Sequence, residues 1–142
     1  MADDADYVTA TRSEVSRRLQ HIDPIEFEHV VADLWDRIGW ETRVVGEPGD
    51  RGIDVIATRG EQTQLIQAKR YGPTTTVGSP EVQQYAALQL QEDDVDQVTI
   101  VTTGEFSAQA EEMAPDLDVI LVDGEAVTDD AAVVSDADSG IV

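Results

Sequence analysis

Two strand-like runs with a very short connection constrain this chain most. Ile53 to Thr58 alternates, placing Ile53, Val55 and Ala57 on one side and Asp54, Ile56 and Thr58 on the other. Thr63 to Arg70 also alternates, with Leu65, Gln67 and Lys69 on one side and Ile66, Ala68 and Arg70 on the other. Arg59-Gly60-Glu61-Gln62 between them has room only for a hairpin turn, so the two runs pair antiparallel. The β-branched run Thr42 to Val45 precedes them across the turn Glu47 to Gly52, giving three connected strands. Such a meander needs a covering layer, and the flanking sequence supplies helices for it.

The first helix is announced by Asp23-Pro24-Ile25-Glu26, with Asp23 as N-cap and Pro24 at the first helical position. Phe27, Val30, Val31, Leu34 and Ile38 then form one apolar face, and Gly39 ends the helix. A shorter helix over residues 12–20 carries Val15 and Leu19. After a loop from Tyr71 to Gly78, Ser79-Pro80-Glu81 starts a helix reaching about Leu90, with Val82, Tyr85 and Ala86 facing inward. Val98 to Val101 reads as a buried strand, Ser107 caps a third helix carrying Ala110 and Met113, and Val119 to Val122 is the last strand. The order α-β-β-β-α-β-α-β predicts an α/β fold with a mixed central β-sheet flanked by helices on both faces. The expected organisation is an acidic tail and short helix over 1–22, one globular domain over 23–125 and a loose acidic tail over 126–142.

The charge balance is extreme. Thirty Asp and Glu stand against nine Lys and Arg in 142 residues, for a formal charge of −21. The acids are spread along the chain, and the apolar periodicity argues against a disordered acidic protein. Adaptation to molar salt, where the Debye length shrinks to about 3 Å, is the better explanation. The composition resembles that of extreme halophiles, and acidity of that origin does not exclude a nucleic-acid partner. There are no cysteines, which removes thiolate metal sites and cysteine nucleophiles. Without a signal-peptide pattern or a run of about 20 apolar residues, a cytoplasmic protein with no membrane partner is expected.

The chemistry concentrates on the hairpin. Asp54 lies among apolar neighbours, and Gln67 and Lys69 share a strand face. Hairpin closure at residues 59–62 brings positions 67–69 opposite Asp54, gathering a carboxylate, an amide oxygen and an ammonium. Hard divalent ions such as Mg²⁺ take carboxylate and carbonyl oxygens. A nearby lysine can orient or deprotonate water and offset charge developing on a phosphate. Lys69 is the only lysine in a chain that otherwise uses arginine, which marks a site needing a compact ammonium. Arg51 and Arg70 either hold phosphates or pair with the surplus acid. Glu28 reads equally well as a solvent-facing helix residue, Asp50 as a turn residue, and His21 and His29 as surface or capping residues.

At these residues the chain resembles the Mrr-like type IV restriction endonucleases of the PD-(D/E)XK nuclease superfamily. The resemblance is carried in order by Phe27-Glu28, the stretch Gly49 to Ala57, Gln67-Ala68-Lys69-Arg70-Tyr71, Val101 to Ser107 and Leu121-Val122-Asp123-Gly124. It covers roughly residues 23–125 and implies a restriction-endonuclease-like fold. It further implies a metal-dependent deoxyribonuclease acting on DNA, with Mg²⁺ or Mn²⁺ held by Asp54, Gln67 and Glu28. Lys69 matches the catalytic lysine; Arg51 and Arg70, read from the residues and not from the resemblance, are the candidates to meet DNA. Gln67 stands where most of the superfamily has an acid. Two alternatives remain beside the endonuclease: a DNA-binding or assembly subunit with a weakened site, and a Holliday-junction resolvase. A homodimer, or association with a separate recognition subunit, is the expected assembly.

Overall fold

The computed structural model describes residues 14, 17–45, 53–70, 75–91 and 94–127. Helix α1 spans Pro24–Arg37, and Asp23 caps it by accepting from the Ile25 N–H at 2.8 Å. Strands β1 (Glu41–Val44), β2 (Val55–Arg59) and β3 (Gln62–Lys69) follow, joined between β2 and β3 by Gly60-Glu61. Gly60 takes φ +60°, the left-handed backbone required at the first central residue of a two-residue type II′ hairpin. Next come β4 (Thr76–Val77), α2 (Ser79–Ala86), α3 (Leu88–Gln91) and β5 (Gln97–Thr102). The order closes with β6 (Glu105–Phe106), α4 (Ala108–Met113), a 3₁₀ turn at Pro115–Leu117 and β7 (Val119–Val122).

The main sheet runs β1-β2-β3-β5-β7. Its first three strands are antiparallel, and β3, β5 and β7 are parallel. The mixed sheet with helices on both faces is therefore as anticipated. On one face α1 buries Phe27, Val31 and Leu34 against Val55, Ala57, Ile66 and Val101. On the other, Val82, Tyr85 and Leu88 pack with Ala110 against Leu65, Val98 and Ile100. Each large aliphatic or aromatic side chain removed from water contributes about 1.5–3 kcal/mol, so the two apolar layers supply the main driving force.

Several local expectations are corrected. Ile38 is 65% exposed, because α1 ends at Arg37 and the chain turns away before that position reaches the sheet. The helix expected over 79–90 breaks at Ala87 into α2 and α3, which lets Leu88 reach the core. The loop expected over 71–78 contains β4, which pairs in parallel with β6. Ile53 packs with the cluster holding Ile56 and Leu65, whereas alternation assigned it to the side of Val55. The cause is local: the Asp54 N–H donates to the carbonyl of Ile66, the residue already paired with Val55, so regular alternation stops there. Leu19 and Val127, outside the expected 23–125 span, are both buried in the α1-side core. Asp123 caps the helical turn carrying Val127, accepting from the Ala126 N–H at 2.9 Å. The expected tail segments 1–13 and 128–142, and Val15, lie outside the described residues.

Candidate active site

Glu28 sits in the first turns of α1, on the stripe shared with Val31 and Ala32, and is only 8% exposed. The solvent-facing alternative for it is thereby excluded. Burial is the first cause that raises its carboxyl above the ordinary glutamate range; the negative charge of Asp54 adds to it, and positive charge on His29 opposes it. His29 and His21 are themselves exposed.

Asp54 immediately precedes β2. Its Oδ2 accepts from the backbone N–H of Ala68 at 2.8 Å, which sets the carboxylate beside the peptide between Gln67 and Lys69. Burial raises its pKa, while the Ala68 N–H and the Lys69 charge pull the other way. Gln67 is buried, and its Oε1 has no hydrogen-bond partner. Lys69 ends β3, with Nζ 3.6 Å from Oε2 of Glu81 and 5.3 Å from the centre of the Tyr85 ring. The backbone N–H of Thr103 donates to the Lys69 carbonyl at 3.1 Å, holding the carboxyl end of β3 to the exit of β5. The fold thus brings Asp54, Gln67 and Lys69 together at one end of β3, with Glu28 close enough to feel the charge of Asp54.

The two arginines fare differently. Arg51 lies outside the described residues, as does Asp50. Arg70 donates from one terminal nitrogen to the carbonyl of Gln20 at 2.8 Å, tying the helical segment over 17–21 to the end of β3. Its Nε is buried without a partner. Nothing in the sequence marks Glu81 and Tyr85 for the site beyond their i, i+4 spacing on one helix.

Among the described residues, no set of three or more His, Asp or Glu gathers to hold a metal. The donors on hand are two carboxylates and one amide oxygen. The unpartnered Gln67 Oε1 and the two carboxyls burdened by burial fit a hard divalent cation, which would satisfy all three and keep water in its remaining positions.

The Mrr_cat family of restriction endonucleases matches residues 19–129. The chain belongs to this Mrr restriction endonuclease family. It is 35% identical over 126 residues to the type IV methyl-directed restriction enzyme EcoKMrr of Escherichia coli (strain K12), covering 82% of this chain and 40% of that enzyme. Against this relative the chain therefore spans less than half the length. Two solved restriction endonucleases share the fold. MspJI, solved in complex with a 27-mer oligonucleotide, matches with a TM-score of 0.70 at 21% identity, covering all of this chain and 35% of MspJI. The DNA modification-dependent enzyme AspBHI matches with a TM-score of 0.68 at 19% identity over 95% of this chain and 39% of its own. No helix among the described residues is long and apolar enough to cross a membrane.

Proposed function

We propose that this chain is the cleavage unit of an Mrr-type restriction system, a Mg²⁺-dependent DNA endonuclease hydrolysing phosphodiester bonds. The observation that carries the reading is the hydrogen bond from the Ala68 N–H to Asp54, which holds a half-buried carboxylate between the residues bearing the amide oxygen and the ammonium. Asp54, Gln67 and Glu28 would hold Mg²⁺, or Mn²⁺ in its place. The bound ion would supply Lewis acidity toward a phosphoryl oxygen and offset charge on the leaving 3′ oxygen. The protein's own part is then orientation and proton handling. Asp54 is locked by the Ala68 N–H, so its remaining oxygen lone pairs point into the site. Lys69 orients a water; in its neutral form it takes the water's proton, and the ammonium it then carries offsets the charge gathering on the phosphate. Arg51 and Arg70 would meet the DNA backbone, Arg70 through the guanidinium nitrogens not held by Gln20.

Cleavage is assigned to the unit around 23–125. Recognition of sequence or modification would rest with another part of the assembly, in the same chain, in a partner subunit or across a homodimer. The relatives' greater lengths support this division of labour. Action on cellular DNA places the protein in the cytoplasm.

A second reading has one observation in its favour: among the described residues the metal donors beside Gln67 are two carboxylates, Asp54 and Glu28, and a neutral amide binds Mg²⁺ more weakly than a third carboxylate would. Under it the unit binds DNA without cutting. One experiment separates the two. The protein is incubated in high KCl with methylated and unmethylated plasmid, and with branched DNA, with and without Mg²⁺ or Mn²⁺. Metal-dependent nicking or linearisation is the expected result. Intact DNA under every condition would decide for the binding unit, and cutting confined to branched substrate would point to a junction resolvase.

A further inference from the structure

The inference that follows rests on the reading of Lys69 as catalytic. A lysine side chain is a flexible four-carbon stem that loses rotamer entropy when held, so an ammonium that must meet a water beside Asp54 needs something to hold it. Two side chains of α2 contact it. Oε2 of Glu81 lies 3.6 Å from Nζ, and the Tyr85 ring centre lies 5.3 Å from it. Glu81 and Tyr85 are four residues apart in one helix, so a single helical face presents both.

The two contacts differ in kind. Tyr85 is 6% exposed and packed in the apolar core with Val82 and Leu88, so its ring is a fixed wall. A cation over such a ring is attracted by its negative face, more strongly as water is excluded. Glu81 Oε2 is buried and has no hydrogen bond, a costly place for a carboxylate oxygen unless a neighbouring cation offsets the lost hydration. Its 3.6 Å separation from Nζ exceeds the roughly 2.7–2.9 Å of a direct charge-assisted hydrogen bond. Glu81 therefore draws the ammonium by charge rather than by a direct hydrogen bond.

We propose that Glu81 and Tyr85 are positioning residues for Lys69: the carboxylate sets the direction of the ammonium and the ring limits its sweep. Neither touches the reacting atoms. The competing account is an ordinary helix-to-sheet ion pair that steadies α2 and nothing more.

Lys69 is the only lysine in the chain, so ¹³C-labelled protein gives one set of lysine Hε–Cε correlations, readable without any cleavage. In the metal-free protein the Hε protons should be shifted by the Tyr85 ring current. Tyr85→Leu should return them toward free-lysine values, Tyr85→Phe should keep the shift, and Glu81→Ala should narrow the difference between the two Hε protons. A wild-type signal already at free-lysine values, unmoved by Tyr85→Leu, overturns the proposal. In cleavage assays Glu81→Ala and Tyr85→Leu should each lower kcat roughly 10-fold or more with KM within about twofold, because the loss is one of orientation. Glu81→Gln and Tyr85→Phe preserve volume and guard against misfolding; the first should show an intermediate loss and the second nearly full activity. Gln84→Ala, exposed on the same helix, should change nothing. Unchanged kcat in both Glu81→Ala and Tyr85→Leu, or a loss confined to KM, also overturns it. A wild type that cuts no DNA defeats the endonuclease reading, while the lysine spectrum still decides whether these two side chains hold Lys69.

Discussion

Asp54 accepts a hydrogen bond from the backbone N–H of Ala68 at 2.8 Å, through a side-chain oxygen where a strand carbonyl would ordinarily continue the ladder. The carboxylate is thereby stitched to the peptide between Gln67 and Lys69. A slip of one residue in the β2–β3 pairing would send Gln67 and Lys69 to the opposite face of the sheet and leave Asp54 without its donor. The site is thus coupled to the register set by the Gly60-Glu61 turn.

If Lys69 acts on the transition state, Lys69→Ala should abolish Mg²⁺-dependent cleavage and leave DNA affinity within a few-fold. Lys69→Arg should fail as well, since it keeps the charge but not the compact ionisable ammonium. Gln67→Glu should retain or raise activity by offering the metal a charged oxygen. Plasmid nicking rates and gel-shift titrations on the same preparations check all three. An active Lys69→Ala variant would remove the lysine from the mechanism.

Asp54 and Glu28 both have carboxyl pKa values raised in the folded protein, burial being the first cause in each. A carboxyl of that kind opposes folding when ionised. The penalty is absent where both states are protonated, grows as the pH climbs from the ordinary carboxylate value, and is complete above the raised folded value. Asp54→Asn and Glu28→Gln should therefore raise the metal-free melting temperature at neutral pH by on the order of a few degrees. The gain should fade as the pH falls from the raised folded value toward about 4, near the unshifted carboxylate values, and be gone below it. Mg²⁺ should stabilise the wild type in a concentration-dependent way, by about 2.7 kcal/mol at 100 times its Kd, and the variants less. Calorimetric melts over pH and Mg²⁺ test both parts.

Gln64 is 3% exposed and bridges α1 to the sheet: its Oε1 accepts from the Trp35 indole N–H at 3.2 Å and from the Thr99 hydroxyl. Gln64→Ala leaves both donors without that acceptor and opens a cavity between α1 and β3. The expected loss is about 2–4 kcal/mol in urea denaturation, with Mg²⁺ affinity of the folded protein unchanged. A loss under 1 kcal/mol would mean that water replaces the amide.

A side chain at position 124 has no space. A Cβ on Gly124 would lie 2.3 Å from the Thr103 carbonyl oxygen and 2.8 Å from its carbon. Both are backbone atoms, so Gly124→Ala must force two chain segments apart. It should cost about 2–4 kcal/mol and disturb the Thr103–Lys69 backbone hydrogen bond, lowering cleavage along with the melting temperature. Native stability in Gly124→Ala would count against this close approach.

The formal charge of −21 predicts salt dependence. Melting temperature should climb across a KCl series into the molar range, because screening weakens the self-repulsion of the compact state. A melting temperature indifferent to KCl would end the reading of the acidity as adaptation to salt.

Local signals in the chain were sufficient for most of its elements, but not for β4, β6 or the break at Ala87. Asp23 and Ser107 read as helix caps because capping is a contact within a few residues, and both side chains accept the expected backbone N–H groups. The β2–β3 hairpin followed from alternation and a short connection, and with it the gathering of Asp54, Gln67 and Lys69. What alternation could not supply was the irregularity at Asp54: the bond from its N–H to Ile66 moves Ile53 to the other core, a choice made between strands.

The remaining features belong to tertiary structure because they join residues far apart in the chain. Glu28 is equally plausible as a surface or a site residue on a helical wheel, and only the docking of α1 beside Asp54 buries it. Gln64 looks like an exposed strand residue until Trp35 and Thr99 close over it. Arg70 looks available to phosphate until Gln20 takes one of its nitrogens. Lys69 was marked by being the only lysine, but the helix that would hold it, through Glu81 and Tyr85, was decided by how α2 packs on the sheet. Sequence alone determined which chemical groups share a strand or a turn, since a few backbone dihedrals set that. The three-dimensional packing of distant segments decided which of those groups lose water and which charges face one another.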